Sequence, residues 1–200
     1  MTMLSISNQK LDDDGIASYG HSPEFTCIGA GACKLPCFAK HGRYHFPCVK
    51  EKLLRNYEAS KQDDFVKRMS AEIYLNGCKT FRIHTVGDFY SGEYIDKWID
   101  ICYQLKDVQF YCYTKTVPYF TNGRLYNLPT NLRVVFSYGG KYDHLIPEGA
   151  PHCHIFRTKR ECIKAGYKYA NDSDLVALKY DKVGIVYHGN KTKEYQTYGK

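Results

Sequence analysis

The sequence predicts a single α/β domain with a parallel sheet, either open or curved into a partial (βα)6 TIM-barrel-like arrangement, on three observations. Short apolar runs rich in β-branched and aromatic residues, among them VQFYCYT, LRVVFS and CHIF, recur about every 20 to 30 residues. The intervals leave room for helices or long loops, which makes parallel βα units the natural assembly. Three successive strands end in polar or glycine residues, as expected where a parallel sheet gathers its chemistry on one rim. The composition agrees: 200 residues, 44% hydrophobic and 24% charged, suit one compact domain and exclude intrinsic disorder.

The elements follow in chain order. Residues 1–21, with Asp12, Asp13 and Asp14, read as an N-terminal arm, 22–188 as the α/β domain and 189–200 as a polar C-terminal tail. A first strand is expected near Phe25. Residues 25–48 hold four of the nine cysteines among glycines and two prolines, a composition that makes a loop. Residues 49–75 read as two helical pieces, with Leu53, Leu54 and Tyr57 on one stripe and Phe65, Val66, Met69 and Ile73 on the next. Ser60, with Asp63 three positions on, is the expected start of the second piece, and Asn76 and Gly77 its end. TFRIHTVGDF reads as a strand running into a turn, after which Ser91 caps a helix whose apolar face carries Ile95, Trp98, Ile99, Cys102 and Leu105. Strands are expected at 108–114, 132–137 and 153–156, with two more within 174–187.

No apolar run approaches the roughly 20 residues that cross a bilayer, and the opening MTMLSISNQKLDDDG lacks a basic-then-apolar leader. A cytoplasmic protein with no membrane partner is therefore expected, with its cysteines reduced. Cys27, Cys33 and Cys37 are spaced C-x5-C-x3-C in a glycine-containing loop that lets three thiolates converge. Soft ligands of this kind suit an iron–sulfur cluster, and three of them on a [4Fe–4S] cluster leave one iron open to a small-molecule ligand or substrate. Recruitment of Cys48 would close the site, as in a structural zinc or electron-transfer centre, and unrelated buried thiols are the third reading. Cys78, Cys102, Cys112 and Cys162 read as core thiols, and Cys153 as facing away from the flanking His152 and His154.

A second constellation lies at the end of the strand TFRIHTV. Gly87 permits close backbone approach, Asp88 can take an ammonium or ribose hydroxyl, and the helix start after Ser91 offers free N–H groups. The bland alternative makes Asp88 a turn cap and His84 a strand histidine. Thr114 and Lys115 end the next strand and Ser137 the one after. The candidate catalytic residues are His84, Asp88 and Lys115; the candidate cofactor contacts are Gly87, Asp88, Ser91, Thr114 and Ser137; the candidate metal ligands are Cys27, Cys33 and Cys37. The net charge of +7 and nineteen tyrosines, with Arg43, Tyr44 and His45 beside the cysteine loop, allow nucleic acid as a secondary partner.

The segments CIGAGACKLPCFAKHGRYHFPCVKEKLLRN, FRIHTVGDFYSGEYIDKWIDIC, FYCYTKT and LRVVFSYGG resemble a phage-encoded family of the gene-product-eighty-eight type. More remotely, the order of parts is similar to that of the radical S-adenosylmethionine enzymes, with their partial βα barrel and three-cysteine loop after the first strand. That resemblance implies cluster ligands at Cys27, Cys33 and Cys37, and a segment at Thr85 to Asp88 that holds the amino group of S-adenosylmethionine. It also shows a departure, since those enzymes use C-x3-C-x2-C with an aromatic residue before the last cysteine, where this chain has Pro36. The expectation is thus a [4Fe–4S] protein of phage origin and of the radical S-adenosylmethionine type. Two alternatives stand beside it: a non-catalytic iron–sulfur or zinc protein that binds nucleic acid or a protein, and a cluster-assisted hydrolase using Asp88 and His84 as acid and base.

Overall fold

Alternation decides the layers. Along the strand Gln109–Thr114, Phe110 and Cys112 enter one apolar cluster, while Tyr111 and Tyr113 face another on the opposite side. A sheet whose strands bury both faces needs cover on both, and a computed structural model, which describes residues 2–5, 8–35 and 37–187, has that form. Its elements are β1 (Leu4–Ser5), α1 (Gln9–Asp13), β2 (Ile16–Tyr19), α2 (Pro23–Thr26), α3 (Pro47–Lys61), α4 (Phe65–Leu75), β3 (Thr80–Arg82), α5 (Gly92–Gln104), β4 (Gln109–Thr114), α6 (Pro118–Thr121), β5 (Leu132–Ser137), β6 (His152–Phe156), α7 (Lys159–Lys164), β7 (Lys168–Tyr169), α8 (Val176–Lys179) and β8 (Lys182–Val186).

The strands form one sheet in the order β1-β2-β3-β4-β5-β6-β8-β7. Among the described strands only the β1–β2 pair is antiparallel; β2 to β6 run parallel in chain order, and β8 inserts between β6 and β7. The expected parallel α/β sheet is present as an eight-stranded, mostly parallel sheet whose edges are β1 and β7. On one face α4 and α5 pack Phe65, Met69, Ile73, Tyr94, Trp98 and Cys102 against Phe81 and Phe110. Trp98 is wholly buried among Tyr19, Phe65 and Phe81, a position whose truncation to alanine typically costs about 3–5 kcal/mol. The other face is covered by Leu11 of α1 and Ala177 of α8 over Ile16, Tyr111, Val135, Cys153 and Val183.

Several expectations are met in detail. The helical stretch 49–75 does break into α3 and α4; Asn76 ends α4, with Gly77 at φ +62° just beyond. The Ser91 Oγ accepts from the Tyr94 N–H at 3.1 Å and so starts α5. Three expectations are corrected. The first parallel strand is β2, not a strand near Phe25, which lies in α2; the stretch up to residue 21, read as an arm, supplies β1 and β2 to the sheet and α1 to one of its faces. Ser60 does not start α4. Its hydroxyl bonds back to the Tyr57 carbonyl at 2.7 Å and meets the Tyr90 hydroxyl at 2.7 Å, so it belongs to α3. Within 174–187 only β8 is a strand, because Asp14 accepts from the Ser173 hydroxyl and the Asp174 N–H and holds the following turn as α8. The stretch read as a C-terminal tail lies outside the described residues.

Candidate functional site

The cysteine loop leaves β2 and crosses the carboxyl ends of β4 and β5. At the crossing a Cβ on Gly29 would sit 2.5 Å from the Lys115 carbonyl oxygen, so only glycine allows this approach. The Lys141 N–H donates to the Gly29 carbonyl at 2.9 Å, Ala30 bridges to Gly140, and the Cys33 N–H donates to the Gly139 carbonyl at 3.1 Å. The receiving turn is itself fixed: the Asp143 carboxylate accepts from the Gly139 and Gly140 N–H groups at 2.8 and 2.9 Å. The loop is thereby clamped to the rim where a parallel sheet presents its chemistry.

Asp88 faces it from the end of β3. Gly87, at φ +89°, packs directly against the His21 ring and has no room for a side chain. The buried Asp88 carboxylate accepts from the Phe89 N–H (2.8 Å) and the Thr114 hydroxyl (2.7 Å) on Oδ1, and from the Lys115 N–H (2.8 Å) on Oδ2. Burial pushes its carboxyl above the usual carboxylate range, against these three donors and the Lys115 charge. One acceptor position on Oδ2 is left by this pattern. The Lys115 Nζ donates to the Ser137 hydroxyl at 2.7 Å. Cys27, half-buried, has its thiol pushed up to about 12 by burial, and after that by the charges of Asp88, Cys37 and Cys33, with Lys115 opposing them.

Cys27, Cys33, Cys37, Asp88, Thr114, Lys115 and Ser137 thus share one corner. Thr114 is spent inside it, since its hydroxyl also accepts from the Thr116 N–H. The other predicted residues are elsewhere. Ser91 is occupied as the α5 cap. His84 stands at φ +75°, a left-handed conformation that turns its ring off the rim and into the aromatic layer. There its Nε2 meets the Tyr94 hydroxyl at 2.9 Å, and it stacks on His21 with centroids 4.5 Å apart and planes 8° apart. Burial first, then the His21 and Arg82 charges, hold His84 well below its ordinary pKa. Cys48 is exposed at the start of α3; Cys102, Cys112, Cys153 and Cys162 are buried and Cys78 half-buried, and burial pushes the Cys153 thiol up to about 12.

Sequence reasoning missed three contributors. Asp143 had a signal, a carboxylate three residues after Gly140 in a turn. His21 and the inner-face network carried no signal. In that network Asp174 accepts from Lys10 Nζ (2.6 Å), Arg82 Nη1 (2.9 Å) and the Tyr111 hydroxyl (2.5 Å), partners far apart in the chain.

Among the described residues no group of three or more His, Cys, Asp or Glu side chains is arranged to hold a metal ion. Three cysteines of a cluster each bind a different iron and need not meet at one point, and the chemistry of this donor set, three soft thiols carried by one loop, fits such a group. Among the described residues no helix is long and apolar enough to cross a membrane.

Comparison with known proteins gives two findings. The family model for Gene product 88 matches residues 3–197. The Gene 88 protein of Mycobacterium phage D29 is 32% identical over 104 residues, 46% of this chain and 43% of that protein. The Gene 88 protein of Mycobacterium phage L5 is 32% identical over 120 residues, 52% of this chain and 50% of that protein. The matches therefore span about half the length of these relatives. No solved structure matches the chain.

Proposed function

The chain belongs to the Gene product 88 family, and from that premise we propose that it is an iron–sulfur enzyme of the radical S-adenosylmethionine type, built on a partial barrel. The observation that carries the reading is the clamping of a three-cysteine loop onto the carboxyl rim, beside a buried carboxylate and a lysine. Cys27, Cys33 and Cys37 are the proposed ligands of a [4Fe–4S] cluster. When bound, such a cluster supplies an electron and an iron with an open position.

The protein's own groups divide the remaining work. The free acceptor position of Asp88 takes an ammonium donor, and Thr114 with the Lys115 and Phe89 N–H groups fixes the carboxylate for it. Lys115, steadied by Ser137, offers a cation to a carboxylate or phosphate on the same ligand. His84 is a positioning residue: with His21 and Tyr94 it fills the space behind Gly87 and holds the turn that presents Asp88.

The test is anaerobic purification with iron, sulfide and zinc analysis, followed by paramagnetic resonance of the reduced protein with and without S-adenosylmethionine. The expected result is about four irons per chain and a spectrum perturbed by the cofactor. Cys37→Ala is expected to abolish the cluster and Cys48→Ala to keep it. Zinc alone would overturn the cluster, and an unperturbed four-iron spectrum would overturn the radical-enzyme assignment.

A further inference from the structure

From Phe25 to Lys50 the chain has no aspartate or glutamate, yet it carries Lys34, Lys40, Arg43 and Lys50, four positive charges of a net +7. The same stretch breaks the rule that places large aromatics inside. Phe65, Phe81, Phe89, Phe110, Phe120 and Phe136 are fully buried, whereas Phe38 and Phe46 are each 56% exposed. The cause is local: residues 38–45 fold only as two short 3-10 turns, Phe38–Lys40 and Gly42–His45, too short to present a buried face.

The exposed groups are linked by local contacts along the loop. Lys40 Nζ donates to the Lys34 carbonyl at 2.7 Å, joining the two lysines. Phe38 makes an edge contact with Tyr44 at 5.6 Å between centroids, which fixes its ring without covering it. The Lys50 N–H donates to the Phe46 carbonyl at 3.1 Å, so Lys50 lies one helical turn beyond Phe46.

We propose that this basic, aromatic stretch of the cysteine loop docks single-stranded nucleic acid, with Phe38 and Phe46 as platforms for unstacked bases and Lys34, Lys40 and Lys50 as phosphate contacts. Rings interleaved with cations match a strand that offers one anion and one π-face per nucleotide. A duplex hides its base faces, which would leave the exposed Phe38 and Phe46 rings without a stacking partner. A second copy of the chain is disfavoured, since an isologous pair would set four positive charges against four. The proposal is independent of the cluster reading, because these groups face outward whether or not the thiols bind iron.

The test uses the full chain and a fluorescently labelled dT15, read by anisotropy over a salt series, with a duplex of equal length and polyglutamate as competitors. Binding is expected at low salt, with log affinity falling against log salt with a slope of about −2 to −3, for three or four phosphate contacts on a single strand. The double variant Phe38→Ala/Phe46→Ala is expected to weaken binding about tenfold or more without changing that slope. Lys34→Glu/Lys50→Glu is expected to weaken it and flatten the slope, while Lys79→Glu/Lys106→Glu, the same charge change at exposed sites on the amino ends of β3 and β4, leaves it within about threefold. Circular dichroism of each variant checks the fold; these side chains are exposed, so it is expected unchanged. No binding at low salt, equal loss in both lysine pairs, or binding indifferent to the phenylalanines would each overturn the proposal. Displacement by polyglutamate as effective as by dT15 would reassign the face to an acidic polypeptide.

Discussion

His21 and His84 are stacked and buried with neither Nδ1 hydrogen-bonded, a pair that has to stay neutral for the fold to persist. Burial lowers His21 from 6.5 to about 3, with its bond to the Asp88 carbonyl opposing. A folded pKa below the unfolded one means that the unfolded chain takes up the proton first. The stability is whole above about pH 6.5 and drains away as pH falls toward 3. Urea unfolding at pH 7.5 and pH 5 should therefore differ by about 2 kcal/mol from His21 alone, with His84 adding in the same direction. His21→Gln should flatten the profile, and an unchanged pH dependence in that variant would show that the pair does not carry it. At this scale the sequence was half legible. Asp88 and Lys115 stood out because their chemistry sits at strand ends. The role of His84 was hidden, because a positive φ and a stacking partner on another strand are tertiary facts without a local signature.

The element that makes the site is a loop, and backbone contacts to the turns after β4 and β5 fix its position. Gly29→Ala should push the loop off the Lys115 carbonyl, at a cost of about 1–3 kcal/mol typical of overpacking. The expected signature is a lower melting temperature with faster proteolytic cleavage within residues 27–48, and equal cleavage rates in the variant and parent would count against the clamp. The two edge elements are short, β1 and β7 having two residues each, which limits unpaired backbone at the sheet margins. Strands with strong β-branched or aromatic runs, β4, β5 and β6, were readable to within a residue or two. β1, β2 and β7 were not, since strands of two to four residues carry too little periodicity, and their existence depends on the neighbours they pair with.

Across the whole molecule, segments far apart in the chain meet on the face covered by α1 and α8, where Asp174 receives Lys10 and Arg82. The Asp174 carboxyl pays desolvation, yet Arg82 and Lys10 hold it below the usual range. Asp174→Ala would leave Arg82 on that face without its carboxylate, so a loss of about 3–5 kcal/mol is expected in chemical denaturation. A loss under about 1 kcal/mol would mean that water replaces the carboxylate. The strand order carries a temporal consequence. From β1 to β6 each strand lies beside the one made just before it, so a nascent chain can add them to a growing sheet as they leave the ribosome. Lys10 must then wait 164 residues for its carboxylate, and Arg82 waits 92. Synthesis sets the order of closure, and this face becomes dry only once residues 174–186 have been made.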